Sequence, residues 1–241
     1  MFSRPLLIGH RGYPAKFPEN TLLSFLAALY YGADGVELDV WLSGDGHPVV
    51  IHDEDTGRVS VVRLKVKKST LRELRSAYLG AGQVIPTLGE VFKHLPRSAL
   101  VLVELKDVDV VEEAVRLVKE HGREESTVLI SFIPEALEKA RSLSETIRLG
   151  LNVDSLDKAG WGFEKKGELA LYSLNPPLEG LEALGGGAVG YLSKARELGL
   201  KVFLWTVNDA ETALKWSRLV DAIMTDNVEA VREVLHRPGS E

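Results

Sequence analysis

The sequence predicts an α/β chain folded as a closed barrel of parallel strands. Two observations carry that expectation. Short β-rich runs alternate with helical patterns along most of the 241 residues. Histidine, arginine and carboxylate side chains also gather where several of these runs end, which is where such barrels place their chemistry. The strand candidates are Leu6–His10, Gly35–Val40, Pro48–His52, Ala99–Leu105, Thr127–Phe132, Ile147–Val153, Glu168–Leu174, Lys201–Val207 and Asp221–Thr225. These are nine candidates for eight places, so one is wrong or extra.

The first run ends in His10-Arg11-Gly12, where Gly12 permits close approach or an unusual backbone angle. A helical pattern over Asn20–Tyr31 begins at an N-cap, Asn20 or Thr21, and stops at Gly32. The next two strands lie too close together for a helical crossover, and Asp45-Gly46 is a hairpin signal. They are therefore expected to pair antiparallel. With Gly44–His47 as the loop, Ser43 faces Pro48 and Asp39 stands opposite His52. Glu54–Pro86 breaks the repeat: it is polar, it gathers Arg63, Lys65, Lys67 and Lys68, and it has only a short helical pattern at Leu71–Leu79. It reads as an insertion over the barrel, with a solvated surface loop as the plainer alternative. Further helical patterns cover Val110–His121, Val189–Leu198 and Ala210–Leu219, while Gly185-Gly186-Gly187 reads as a linker.

Composition narrows the chemistry. The net charge of −6 provides no global basic field for nucleic acid or anionic lipid. The absence of cysteine excludes disulfides, thiolate catalysis, cysteine-ligated zinc and iron–sulfur clusters. The apolar run Leu6–Ile8 is far too short for a signal-peptide core, and no stretch approaches the roughly 20 apolar residues of a membrane span. A cytoplasmic protein is the default expectation. A single Gln, two Met and many Lys, Arg and Glu fit heat adaptation.

Glu37 and Asp39 share one strand face, with Val36, Leu38 and Val40 on the other. Glu104 and Lys106 follow the apolar run Leu100–Val103. Inward carboxylates are costly unless paired or bound to metal. Three acids on two strands, with no cysteine, favour an oxygen-rich site for one hard divalent cation, Mg²⁺ or Ca²⁺, with Mn²⁺ also accepted. The alternative is a buried ion-pair network, Glu104 with Lys106 and Arg11 with Glu37. His10 and His52 end strands, and an imidazole suits proton transfer near neutral pH. Alone, His10 reads equally well as a core histidine beside a surface arginine. His47, His94, His121 and His236 read as structural or solvated. Trp205 ends a late strand, either walling a small-substrate pocket or simply packing. Thr225-Asp226-Asn227 reads as a helix cap.

Taken together, the ordered motifs resemble the glycerophosphodiester phosphodiesterase family. They are His10-Arg11-Gly12, Pro18-Glu19-Asn20-Thr21, Gly32 to Val40, Asp45-Gly46 and Val49-Val50-Ile51-His52-Asp53. Ile85-Pro86-Thr87-Leu88, Glu104-Leu105-Lys106, Ser131-Phe132, Trp205-Thr206-Val207-Asn208 and Thr225-Asp226 follow. The resemblance implies a TIM (β/α)8 barrel spanning residues 1–241 as one catalytic domain, with segment 54–86 inserted after the third strand. It implies that His10 and His52 are an acid/base pair and that Glu37, Asp39 and Glu104 hold one divalent cation. Arg11 and Lys106 would meet phosphate, Trp205 would contact the alcohol or glycerol, and Glu19 and Asn20 would support the site from behind. The implied substrate is a small glycerophosphodiester, not nucleic acid, and the products are glycerol phosphate and an alcohol. A lysophospholipase-D-like or cyclising enzyme, and a non-catalytic phosphodiester-binding barrel, are the alternatives. Three departures stand out. The family often continues its His-Asp with Leu and an Arg-Thr-Thr run, where this chain has Glu54 to Ser60. An Asn often precedes the position of Glu104, and a proline-containing pair often follows that of Asp226.

Overall fold

The first strand, β1 (Leu6–Gly9), leads to helix α1 (Leu22–Tyr30), where the Thr21 hydroxyl accepts the Ser24 N–H as N-cap. Residues 4–236 are described by this computed structural model. Strand β2 (Gly35–Leu42) turns back into β3 (Pro48–Val50). A single 3₁₀ turn at Val66–Lys68 precedes α2 (Leu71–Leu74) and α3 (Leu88–His94). Both helices open on capping boxes, Thr70 with Glu73 and Thr87 with Glu90. Then come β4 (Leu100–Leu105), α4 (Val111–Glu120), β5 (Thr127–Ser131), α5 (Pro134–Leu143), β6 (Arg148–Asn152) and α6 (Leu156–Leu169). The chain completes itself with β7 (Leu171–Asn175), α7 (Leu178–Ala183), α8 (Gly187–Glu197), β8 (Lys201–Leu204), α9 (Ala210–Trp216), β9 (Ala222–Thr225) and α10 (Val228–Leu235).

Eight strands close into a parallel ring in the order β1-β9-β8-β7-β6-β5-β4-β2, with β2 pairing back to β1. This is a TIM (β/α)8 barrel. The ninth strand, β3, lies outside the ring and pairs antiparallel with β2. It is therefore the extra candidate, and the hairpin expectation holds. The register differs by one residue. Leu42 pairs with Pro48, and the Ile51 N–H donates to the Asp39 carbonyl, so Ile51 rather than His52 stands opposite Asp39. The loop is one residue shorter than expected, because the Ser43 N–H bonds the His47 carbonyl and Gly46 takes a positive φ of 85° between them. A second difference lies at Glu168–Leu174. Helix α6 runs on through Leu169 and stops at Ala170 in the left-handed conformation, so β7 begins only at Leu171. Gly187 belongs to α8 rather than to a linker.

Strand alternation sorts the core into layers. Val36, Leu38, Val40, Val101, Val103 and Leu105 pack outward beneath the helices. Ile8, Leu102, Val128, Ile130, Phe203 and Met224 belong to a separate cluster on the opposite strand faces, which fills the barrel. The same alternation turns Glu37, Asp39 and Glu104 inward. A third apolar cluster, including Val49, Ile51, Val66, Leu74 and Ile85, seats the 54–86 segment against β3. Among the described residues, no helix is long and apolar enough to cross a membrane.

Candidate active site

Parallel pairing of β2 with β4 sets Asp39 level with Glu104, and Glu37 lies two residues earlier on the same face of β2. The carboxylates of Glu37, Asp39 and Glu104 each offer an oxygen within 4.8 Å of the others, and all three residues are buried. Such a cluster strains against its own charge. Burial first, then the neighbouring Asp39, pushes the Glu37 carboxyl up to about 8. Burial and Asp39 also raise Glu104, although Lys106 opposes them. Asp39 goes the other way: burial works against its charge, but Lys106, Arg11 and His52 outweigh it and hold its carboxyl below the usual range. An all-oxygen donor set with excess negative charge fits a hard divalent cation.

Cationic groups surround the acids without matching them. Lys106 Nζ donates to Glu104 at 2.8 Å and to Asp39 at 3.4 Å. Arg11 lies in the left-handed region at φ 53°, and its N–H donates to Glu37 at 3.0 Å. Its Nη1 donates to Glu19 at 3.1 Å and its Nε lies 3.5 Å from Asp39 Oδ2. That Nε is buried and has no hydrogen-bond partner, so a donor is held ready at the site. Asn20, also left-handed at φ 55°, clamps Asp39 twice. Its amide donates to the carboxylate at 2.8 Å, and its oxygen accepts the Asp39 N–H at 3.3 Å.

Each candidate histidine has a carboxylate behind it. Asp226 holds His10 Nδ1 at 2.8 Å, leaving Nε2 facing Glu37 at 3.9 Å. Asp53 holds His52 Nδ1 at 2.6 Å. A carboxylate on Nδ1 fixes the tautomer and orientation of the ring. The two rings are tuned in opposite directions. Burial opposes charge on His10, but the Asp226 hydrogen bond and Glu37 prevail and raise its pKa. Burial wins at His52, with Lys106 and Arg11 adding to it, and its pKa falls despite Asp39 and Asp53.

His10, Arg11, Pro14, Ala15, Glu19 and Asp226 line a cleft of about 330 Å³. A larger cavity of about 580 Å³, bordered by Arg97, Glu124 and Thr146, lies at the opposite ends of the strands and gathers no comparable set. The sequence matches the family model for the glycerophosphoryl diester phosphodiesterase family over residues 10–230. The chain belongs to the glycerophosphoryl diester phosphodiesterase family. It is 33% identical to a glycerophosphodiester phosphodiesterase of Caldanaerobacter subterraneus, over 98% of this chain and all of that one. It resembles the crystal structure of a glycerophosphodiester phosphodiesterase from Thermotoga maritima, with a TM-score of 0.83, 33% identity and coverage of 95% and 98% of the two chains. A phosphodiesterase of Oleispira antarctica, solved with the product sn-glycerol-3-phosphate, matches at a TM-score of 0.85 and 28% identity over 97% and 98%.

Within this phosphodiesterase barrel, the expected residues converge in two groups. His10, Arg11, Glu19, Asn20, Glu37, Asp39, Glu104 and Lys106 are joined by the contacts above, and His52 feels the charge of Asp39. Trp205 stands farther round the mouth. Its Nε1 donates to the Asn175 carbonyl at 2.8 Å, and its ring meets Phe132 edge-on at 5.8 Å. Sequence reasoning missed the groups that join them. Asn152 donates to Glu104 at 3.1 Å and accepts from Asn175 at 2.9 Å. A polar residue at an inward position of the candidate strand Ile147–Val153 was the available signal. Asp226 backs His10 as well as preceding α10. Asn208 fixes it by donating to its carboxylate at 3.0 Å and accepting its N–H at 2.8 Å.

Proposed function

We propose that this protein hydrolyses small glycerophosphodiesters to glycerol phosphate and an alcohol, with one divalent cation at Glu37, Asp39 and Glu104. Mg²⁺ or Ca²⁺ suits the oxygen donors best, with Mn²⁺ as a substitute. The observation that supports this reading most is the convergence of three buried carboxylates with a buried Arg11 Nε that makes no hydrogen bond, at the C-terminal mouth. The product held by the Oleispira antarctica relative supports the same substrate class. When bound, the cation would offset phosphate charge and make a nearby hydroxyl easier to deprotonate. Arg11 Nε would donate to a phosphate oxygen, while Lys106 would balance the charge that builds there. One histidine, neutral, would take the proton of the attacking hydroxyl, and the other, protonated, would give one to the departing alkoxide. The attacking hydroxyl is the neighbouring one of glycerol in the cyclising version of this chemistry, with water opening the cyclic phosphate. Trp205 would pack against the alcohol or glycerol part. Residues 1–241 are read as one catalytic domain, with segment 54–86 inserted at its rim. The cytoplasmic setting rests on the sequence alone.

The test is a metal screen against a panel of short and long-chain glycerophosphodiesters, with EDTA as control. Replacing His10 or His52 with Ala should remove most turnover while the divalent cation still binds, as read by calorimetry. Near-wild-type turnover in either variant would falsify that histidine's role. Ligand binding without turnover under every cation would support a binding barrel instead.

A further inference from the structure

We propose that Arg58, from the beginning of the inserted segment, is a positioning residue that sets His52 and Arg11 as one unit. This rests on the functional reading above. All three guanidinium nitrogens are engaged. Nε donates to Asp53 Oδ2 at 2.5 Å, and Nη1 and Nη2 form a fork on Glu19 Oε2 and Oε1, each at 2.7 Å. Each carboxylate uses its remaining capacity inside the site. The other oxygen of Asp53 holds His52 Nδ1 at 2.6 Å, and Glu19 Oε1 also accepts from Arg11 Nη1 at 3.1 Å. One cation thus links the carboxylate behind a histidine to the carboxylate behind the phosphate-facing arginine.

Where its nitrogens are committed decides between two roles for an arginine at the mouth of a phosphodiester site. A phosphate ligand needs an uncommitted donor, and the buried Arg11 Nε makes no hydrogen bond. Arg58 spends an N–H of every nitrogen on a carboxylate and has no wholly free nitrogen to offer, so it braces rather than binds. Against their burial, the Arg58 fork with Arg11 lowers the pKa of Glu19, and the His52 hydrogen bond with Arg58 lowers that of Asp53. Without it, Glu19 would keep only Arg11 and Asp53 only the His52 ring, so more negative charge would face an incoming anion and Asp53 would be held less firmly behind His52. The first change weakens substrate binding and the second slows turnover. Exposed pairs of this kind contribute little to folding, so the effect belongs to kinetics.

The bland alternative is that Arg58 merely staples its loop. Thr56 supplies the comparison. Its hydroxyl donates to the Val62 carbonyl and accepts the Leu64 N–H, fixing the same loop without touching Asp53 or Glu19. R58A, R58K, T56V and H52A are assayed with saturating Mg²⁺ on the best short-chain diester of the panel. R58A is expected to lose roughly 10- to 100-fold in kcat, the range typical of residues that orient a ligand or catalytic group, and to raise KM. R58K, which cannot fork Glu19 and reach Asp53 together, falls between. Millimolar guanidinium restores R58A, sodium chloride at equal ionic strength does not, and T56V stays near wild type. Wild-type constants in R58A beside an inactive H52A overturn the proposal. So does a T56V that matches R58A, or an R58A that guanidinium fails to restore. An active H52A removes His52 from the acid/base pair, and the role of Arg58 with it.

Discussion

Glu37 is the residue whose charge depends most on what else occupies the barrel mouth. Burial and Asp39 move its carboxyl from an ordinary 4.5 to about 8. A raised carboxyl pKa means that the folded state holds a proton the unfolded chain has released. Its contribution to stability is therefore fully present below about 4.5 and lost as pH rises through about 8. In EDTA, the melting temperature of wild type should fall across this window more steeply than that of E37Q, whose amide cannot ionise. Scanning calorimetry at several pH values checks this, and equal slopes would remove Glu37 as the source. Cation binding must displace the same proton, so affinity should rise with pH over the same range and protons should be released. Calorimetry in buffers of different ionisation enthalpy measures that release. The tuning was not readable from the sequence. Glu37-Leu38-Asp39 shows that two acids share a face. Only the level of Asp39 with Glu104 across β2 and β4 shows how closely a third acid joins them.

Helix α3 shows how an element far from the mouth is held by one side chain. Arg123 is buried, and its guanidinium donates to the carbonyls of Phe92, Leu95 and Pro96 at the C-terminal end of that helix. Burial lowers its pKa, with Arg97 adding to the effect. A charge here suits the helix dipole and satisfies carbonyls that the helix cannot. R123M would leave the Phe92 and Leu95 carbonyls without the guanidinium, while Pro96 keeps the Ala99 N–H, and should cost about 2–4 kcal/mol, read by chemical denaturation, with kcat per folded molecule unchanged. A change below ~0.5 kcal/mol would mean that water replaces the guanidinium without penalty. The hairpin of β2 and β3 teaches a related lesson about elements. Its existence followed from the short spacing and Asp45-Gly46, but its register did not. The Ser43–His47 closure fixed the loop one residue shorter, and one residue is enough to change every partner along the pair. His52 lies past the end of β3, and the charge of Asp39 still reaches it.

For the whole molecule, three converging acids at the end of a closed ring predict that the cation stabilises the fold. Excess Mg²⁺ or Ca²⁺ at 100 times its dissociation constant contributes about 2.7 kcal/mol, or roughly 5–10 °C in melting temperature for a chain of this size. EDTA should reverse the shift, and E37Q/D39N/E104Q should not respond. An intact protein that melts identically with and without every divalent cation would end the cation-site reading. The sequence by itself determined the barrel, because alternating strands and helices leave few ways to bury both sheet faces. It also determined the chemical inventory, His10, His52, Arg11, Lys106 and the inward carboxylates, because strand alternation assigns each side chain a face. It did not determine which strand was extra or where α6 yields to β7, since both depend on which hydrogen bonds close. Nor did it reveal the partners that tune the inventory. Asp226 is 216 residues from His10 and Asn152 is 48 from Glu104, while Arg58 reaches back 39 residues to Glu19. Such contacts are properties of ring closure and of a loop folded over the mouth. The tertiary structure alone decides them, because separation along the chain says nothing about distance once the strands have closed.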